Sequence, residues 1–311
     1  MTEICVGIDI GGTNSVFGLV DKHGKIHAKG TLPTANYEVA EEFVKAISIE
    51  IKKALSPDMK LLAVGVGAPN GNFFKGTIEF APNLKWKGVI PLAKYFEENL
   101  KVKALLTNDA NAATIGEMIF GNAIGLNDFL FITLGTGLGS GIVANGELIY
   151  GHDSFAGEVG HVIVKENGRL CGCGRRGCLE TYCSAPGIVK TYRELINNEN
   201  LEISAKDIFD LAKSGNEKAI EAFKITGEIL GLALANSVVY TAPEKIFLFG
   251  GLAQSGELLF RPTRESFEAN VLKIWQNKIQ IVPSGLDESD AAILGSASLV
   301  WKINQKYRSQ I

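Results

Sequence analysis

The chain has 311 residues, 46% of them hydrophobic and 21% charged, with a formal net charge of -3. That length can bury most of the surface an unfolded chain exposes and makes two domains a fair expectation, while a mildly acidic sequence with dispersed Lys and Arg argues against a nucleic-acid partner. The opening MTEICVGIDIGG has no basic region followed by an apolar stretch, so no export signal is expected. In chain order, residues 3–10 read as a buried strand ending at Asp9, after which Gly11 and Gly12 turn the chain. Strands follow at Ser15–Val20 and 25–31 around a hairpin at 21–24, then a helix over about 37–55 that stops before Pro57. A strand at 61–67 runs into the loop GAPNGN, and a helix near 90–100 and a strand at 102–107 lead to Asn108-Asp109, where alanine-rich sequence starts a helix. Strands alternating with helices argue for an α/β sheet with parallel pairings.

The pattern then restarts. IDIGGTNSVFGLVDKHGKI at 8–26 and ITLGTGLGSGIVANGELI at 132–149 both run strand, Gly/Thr turn, strand, hairpin, strand. A repeat of this order suggests two related lobes. Next comes His161 followed by Cys171, Cys173 and Cys178, with Glu158 just before and Glu180 just after. One imidazole and three thiolates are the ligand set of a structural zinc site, and the intervening glycines let the backbone wrap an ion. Cys171 and Cys173 are too close for an easy disulfide, and five cysteines cannot all pair, which points to metal in a reducing, cytoplasmic setting. Beyond the loop, Ser204 and Asp207 read as a capping box, 215–241 as a long apolar helix, Lys245–Phe249 as a strand ending in Gly250-Gly251, and 290–301 as a last helix. The apolar core of the long helix, 227–241, carries Glu228 and Asn236 and reads as too short to span a bilayer, so no membrane is expected.

Three glycine turns follow strands: Gly11-Gly12-Thr13, Gly135-Thr136-Gly137 and Gly250-Gly251. Backbone N–H groups at such turns can meet phosphate oxygens, and a Thr hydroxyl adds a donor. None matches a P-loop, and Ser140 stands where a GxGxxG pattern needs its last glycine. Singly, each is a hairpin; together they fit a nucleotide. Asp9 and Asp109 each stand at a strand end, where an α/β sheet places ligands, although Asp9 also reads as a turn residue and Asp109 as a helix cap.

Asp9-Ile10-Gly11-Gly12-Thr13, Asn108-Asp109-Ala110-Asn111-Ala112, Glu158-Val159-Gly160-His161 and CGCGRRGCLE together resemble the ROK family of sugar kinases and repressors, over essentially the whole chain. Within that family the resemblance is greatest to bacterial ATP-dependent glucokinases. It implies a two-lobed actin-like (ribonuclease H-like) α/β fold with a structural zinc loop, residues 1–118 plus 291–311 forming a smaller lobe and 119–290 a larger one. It further implies phosphorylation of the glucose 6-hydroxyl, with Asp109 as general base and Asp9 placing Mg²⁺ on ATP. Gly11, Gly12, Thr13, Thr136 and Gly137 would meet the phosphates, and Gly250 and Gly251 the adenosine. Asn108, Asp109, Glu158, His161 and Glu180 would hold the hexose, and His161 would also join Cys171, Cys173 and Cys178 on zinc. A homodimer is the family expectation.

Two sugar-side loops complete the reading. Asn70, beside Gly71, stands where many members have a glycine, and it either disturbs the loop's contacts or adds a side-chain hydrogen bond. Asn83-Leu84-Lys85-Trp86 resembles the second loop, with Trp86 equally readable as core. Arg175 and Arg176 read as solvating the cysteine loop rather than binding phosphate, and Cys5 and Cys183 have no assigned role. The alternatives are a kinase for N-acetylglucosamine, N-acetylmannosamine or fructose, and a non-catalytic sugar sensor. The family's repressors carry a helix-turn-helix domain before the Asp-Gly-Gly motif; with eight residues ahead of Asp9, an enzyme is expected.

Overall fold

In a computed structural model, residues 1–308 are described, with side chains as far as Lys302. Residues 309–311, the end of the range expected for the smaller lobe, lie outside the described residues. The chain divides into two compact units. The first comprises Met1–Gly125, Tyr150–Ala156 and the segment from Gly285 onward; the second comprises Leu126–Ile149 and Gly157–Ser284.

The first unit begins with β1 (Thr2–Ile10), β2 (Ser15–Val20) and β3 (Ile26–Leu32), an antiparallel run. A single 3₁₀ turn at Thr34–Asn36 comes before α1 (Ala40–Ala54), which starts later than its sequence pattern suggests because Val39 is extended and offers no capping side chain. β4 (Met59–Gly67) pairs parallel with β1, and β5 (Gly71–Asn72), β6 (Thr77–Glu79) and β7 (Val89–Ile90) make a small separate sheet with no clear sequence signal. After α2 (Leu92–Leu100), β8 (Lys103–Thr107) closes the main sheet in the order β3-β2-β1-β4-β8, and α3 (Asp109–Phe120) follows directly. Alternate residues of β1 and β4 join Phe43, Ile47 and Phe96 in a closed apolar core.

The second unit repeats this plan. β9 (Phe129–Leu134), β10 (Leu138–Ala144) and β11 (Glu147–Leu148) are antiparallel, and β12 (Lys245–Phe249) and β13 (Gln280–Pro283) add parallel strands in the order β11-β10-β9-β12-β13. Hairpin, hairpin, parallel, parallel is the order in both sheets, so the similarity of 8–26 to 132–149 is one of topology as well as composition. Between β11 and β12 lie α4 (Glu180–Cys183), α5 (Ala185–Leu195), α6 (Ala205–Lys213) and α7 (Glu217–Thr241); α8 (Glu257–Asn270) precedes β13. The Ser204–Asp207 capping box is present at α6. The expectation that the apolar helix is too short for a bilayer is corrected: α7 has 25 residues, long and apolar enough by length and composition. Over its most apolar window 56% is buried, with Leu230, Leu234 and Val238 in the core, as in a core helix of a folded domain.

The closing helix, α9 (Ala291–Arg308), extends past the expected end and belongs to the first unit. It lies close on the sheet because Gly65 has no side chain; a Cβ there would collide with the Ser296 carbonyl oxygen. In each unit the parallel strands end together. Asp9 pairs with Gly67 at the end of β4, and Gly67 with Thr107 at the end of β8, so the residues after all three emerge along one sheet edge. In the second sheet Thr133 pairs with Phe249, bringing the turns at Gly135 and Gly250 to one edge. These carboxyl edges are where open α/β sheets place ligands.

Candidate active site and metal cluster

In the first unit, Asp9 lies within electrostatic reach of Asp109. Burial, and then the charge of Asp109, push the Asp9 carboxyl up to about 7. Asp109 is exposed at the first position of α3, and its carboxylate accepts the Ala110 N–H at 2.8 Å. The cap itself is Asn108, whose side-chain oxygen accepts the Asn111 N–H at 2.7 Å. Asp109 is therefore not the capping residue that its position suggests. Asn111 is fully buried, and neither end of its amide has a hydrogen-bond partner among the described residues. Such a group costs stability.

The surrounding turns are tightly packed. Gly11 donates its N–H to the Asn14 carbonyl at 3.1 Å, and a Cβ on Gly12 would collide with the Asn83 carbonyl oxygen. Gly12 thus lets the Gly11-Gly12 turn rest on the backbone of the 83–86 loop, while Thr13 and Asn83 are exposed. Gly71 packs in the same way on the Thr107 carbonyl, one residue before Asn108. Asn70 takes φ 52°, the left-handed conformation that glycine adopts freely and asparagine tolerates. Its amide donates to the Glu79 carbonyl at 3.0 Å, so the extra side chain serves the small sheet. Trp86 is core: it is 3% exposed, lies 5.1 Å from the Phe43 ring and donates its indole N–H to the Tyr37 carbonyl.

In the second unit the four expected metal ligands converge. Donor atoms of His161, Cys171, Cys173 and Cys178 all lie within 4.8 Å of one another. Cys173 Sγ is 3.7 Å from Cys178 Sγ, and Cys171 Sγ is 3.7 Å from His161 Nδ1. A tetrahedron with zinc–sulfur bonds of about 2.3 Å has sulfur–sulfur edges of about 3.8 Å, so the donor set fits the ion. Burial pushes the Cys171 thiol up to about 12, whereas the Arg175 N–H, then its guanidinium, hold Cys173 down at about 6. A cation would be needed to keep all three as thiolates. The arginines of the loop are exposed, as expected of residues that solvate it, and they also brace it: Arg175 donates to the His161 carbonyl at 2.7 Å and Arg176 to that of Gly168 at 3.3 Å. Cys5 and Cys183 are fully buried, their thiols raised by burial, and act as small apolar side chains.

His161 turns Nδ1 to the thiols and Nε2 to Glu158, whose carboxylate is 3.9 Å away. Glu158 precedes a 3₁₀ turn, Val159–His161, set against β10: Ser140 donates its hydroxyl to the Gly157 carbonyl and accepts the Val159 N–H at 3.2 Å. Gly160 permits this approach, since a Cβ would strike the Leu138 carbonyl oxygen. Glu180, the first residue of α4, accepts the Leu138 N–H at 3.0 Å and faces the Cys171 thiol at 3.8 Å. It thereby links the cysteine loop to the turn at Gly135-Thr136-Gly137. Gly250 sits against Leu134, with the Leu252 N–H donating to the Leu134 carbonyl at 3.1 Å. Beside exposed Thr136 lies an open cavity of about 560 Å³, lined also by Pro186, Val189 and Lys190.

Sequence reading missed Ser140, noted only as a lost glycine, and Arg169. Nothing in the local pattern at Arg169 signals its ion pair with Glu194, which lies 25 positions on.

Two mixed sheets of one topology, carboxylates at the carboxyl edge of the first, and a His/Cys₃ cluster in the second unit define an α/β protein with a metal-type donor set. The ROK family model matches residues 5–303, and the chain belongs to that family. It is 33% identical to the glucokinase of Halalkalibacterium halodurans, over 98% of this chain and 96% of that one. It is 28% identical to the xylose repressor of Bacillus spizizenii, over 95% of this chain and 76% of the repressor. Among solved structures, the ROK family glucokinase of Streptomyces griseus, in complex with glucose and AMPPNP, superposes with a TM-score of 0.79 at 33% identity, covering 95% of this chain and 98% of that one.

Proposed function

We propose that the protein is an ATP-dependent glucokinase that phosphorylates the 6-hydroxyl of glucose. The carrying observation is the Asp9–Asp109 pair: one carboxylate half-buried and driven toward neutrality, the other exposed on α3 while Asn108 does the capping. In this reading Asp109 accepts the proton of the 6-hydroxyl as it attacks phosphorus, and a carboxylate within hydrogen-bond reach of the hydroxyl is the chemistry required. Asn108, Glu158, His161 and Glu180 hold the other hydroxyls, with Asn70-Gly71 and Asn83 supplying loop contacts; carboxylates and an amide suit a ring of hydroxyls because they accept and donate together. Mg-ATP supplies the electrophilic phosphorus and the countercharge, with Asp9 on the Mg²⁺ side. Gly11, Gly12, Thr13, Thr136 and Gly137 face the phosphates, and Gly250, Gly251 and the cavity beside Thr136 receive the nucleoside. Zinc is held by His161, Cys171, Cys173 and Cys178; with Nδ1 of His161 on the metal, Nε2 is left for the sugar.

The same reading takes the duplicated sheets as the lobes of an actin-like fold, 1–118 plus 291–311 and 119–290, and the protein as a cytoplasmic homodimer. A kinase for another hexose keeps every role above and changes one pocket contact. The likeness to a xylose repressor favours a second reading, sugar sensing without catalysis, against which stands the presence of both Asp9 and Asp109. The test is sugar-dependent ADP release with Mg-ATP across glucose, mannose, fructose, N-acetylglucosamine and N-acetylmannosamine. Preference for glucose, lost in Asp109→Asn, supports the proposal. Preference for an N-acetylated sugar replaces the substrate, and no turnover by zinc-replete protein leaves the sensor.

A further inference from the structure

Arg169 stands two residues before the first cysteine of the metal cluster, with a side chain 8% exposed. A guanidinium has five N–H donors in a fixed planar fork. All five are used. Nε donates to Glu194 Oε1 at 3.2 Å, Nη1 to the carbonyls of Thr181 and Gly187 at 2.8 and 3.0 Å, and Nη2 to Thr191 Oγ1 and Glu194 Oε2 at 3.0 and 2.7 Å. The guanidinium also lies over the Tyr182 ring, 4.5 Å from its centroid, and the Tyr182 hydroxyl accepts the Arg169 N–H at 3.0 Å.

These partners belong to both sides of one elbow. α4 has four residues, too few to hold a helix by its own hydrogen bonds, and α5 begins two residues after it ends. Thr181 and Tyr182 lie in α4; Gly187, Thr191 and Glu194 lie in α5. The elbow meets the Gly135–Leu138 segment at two points. At its start is Glu180, whose carboxylate receives the Leu138 N–H. At its bend, the Ala185 N–H donates to the Gly135 carbonyl at 2.8 Å, and the Ser184 hydroxyl donates to the Glu180 carbonyl at 2.7 Å.

We propose that Arg169 is a positioning residue that locks the α4–α5 elbow, and so sets the sugar-side carboxylate Glu180 and the phosphate-side turn Gly135-Thr136-Gly137 in one fixed relation. The functional half of this inference rests on the kinase reading; the mechanical half does not. Arg169 touches no proposed ligand and acts only through the elbow. It does so from outside the ion's coordination set, so the lock and the metal are separate restraints.

The experiment uses the zinc-loaded full chain as wild type, Arg169→Lys and Glu194→Gln, the last chosen because Glu194 is 46% exposed and its loss leaves the core intact. Lysine keeps the charge but cannot bridge five acceptors. Hydrogen exchange is followed in peptides covering 134–138 and 180–188. In Arg169→Lys both should exchange at least tenfold faster, with bound zinc still one per chain and the remaining peptides unchanged; Glu194→Gln should move the same peptides by less. In turnover, KM for sugar and for ATP should rise together about tenfold while kcat changes less, because the groups are present but misplaced. A merely structural role would lower the active fraction and leave both KM values alone. Unchanged exchange in the two peptides overturns the lock, even where no sugar is turned over. Faster exchange with KM values within twofold of wild type overturns its functional half. If Arg169→Lys does not fold, Glu194→Gln decides on the same criteria.

Discussion

Replacing Asp9 with Asn should stabilise the protein while abolishing the proposed reaction. In the fold, burial and the facing Asp109 raise the Asp9 carboxyl from 3.8 to about 7. An acid raised on folding binds its proton more tightly in the native state, so this group's contribution to stability is most favourable below pH 3.8 and is lost as pH rises toward 7. Three units at roughly 1.36 kcal/mol each put the full penalty above pH 7 at about 4 kcal/mol, a ceiling that Mg²⁺ or solvent near the pair reduces. Asparagine has a similar shape and no charge, so Asp9→Asn removes the penalty. At roughly 2–4 °C per kcal/mol, the first unfolding transition at pH 8 in magnesium-free buffer should rise by on the order of 10 °C. At pH 5 the native carboxyl is neutral and the gain should fall below about 2 kcal/mol. Circular dichroism melts of both proteins at the two pH values measure this directly. A variant equally stable or less stable at pH 8, or a gain independent of pH, would refute the idea that Asp9 is an acid raised by desolvation and by Asp109.

Other substitutions separate chemistry from scaffold. Asp109→Asn should fold normally, since Asn108 supplies the cap, and should lose about 10²–10⁴-fold in kcat, read by ADP release. Cys178→Ser, at a fully buried ligand position, should lose the bound zinc measured by mass spectrometry and should raise KM for sugar through His161. Asn70→Gly should change stability by no more than about 1 kcal/mol, because glycine accepts φ 52°, while Asn70→Val should cost more than Asn70→Gly in a denaturant titration. Trp86→Ala should cost about 3–5 kcal/mol, with KM for sugar unchanged in the folded fraction, because the indole is packed on Phe43.

The sequence by itself determined what depends on local order. A strand followed by two glycines, an Asn-Asp start to an alanine-rich helix and a Cys-Gly-Cys run are short-range patterns whose geometry follows from backbone sterics and ligand chemistry. Thus β1, α3 and the four-donor cluster were all legible. The repeated hairpins were legible for the same reason, and their equal topology follows from equal order. Tertiary structure alone decided what depends on residues distant in sequence. The carboxyl of Asp9 is raised first because the packed sheet edge desolvates it and then because β1 and the start of α3 bring Asp109 near, with β4 between β1 and β8. Gly12 and Gly160 are glycines because other backbone segments rest on them, not for their turns alone. Asn70 keeps a glycine's conformation and spends its amide on the neighbouring sheet. Arg169 finds its acceptors in two helices that no spacing rule connects to it. Short-range pattern can name such residues, but only packing brings together the atoms that give them work, because desolvation, charge coupling and donor geometry are properties of neighbours in space.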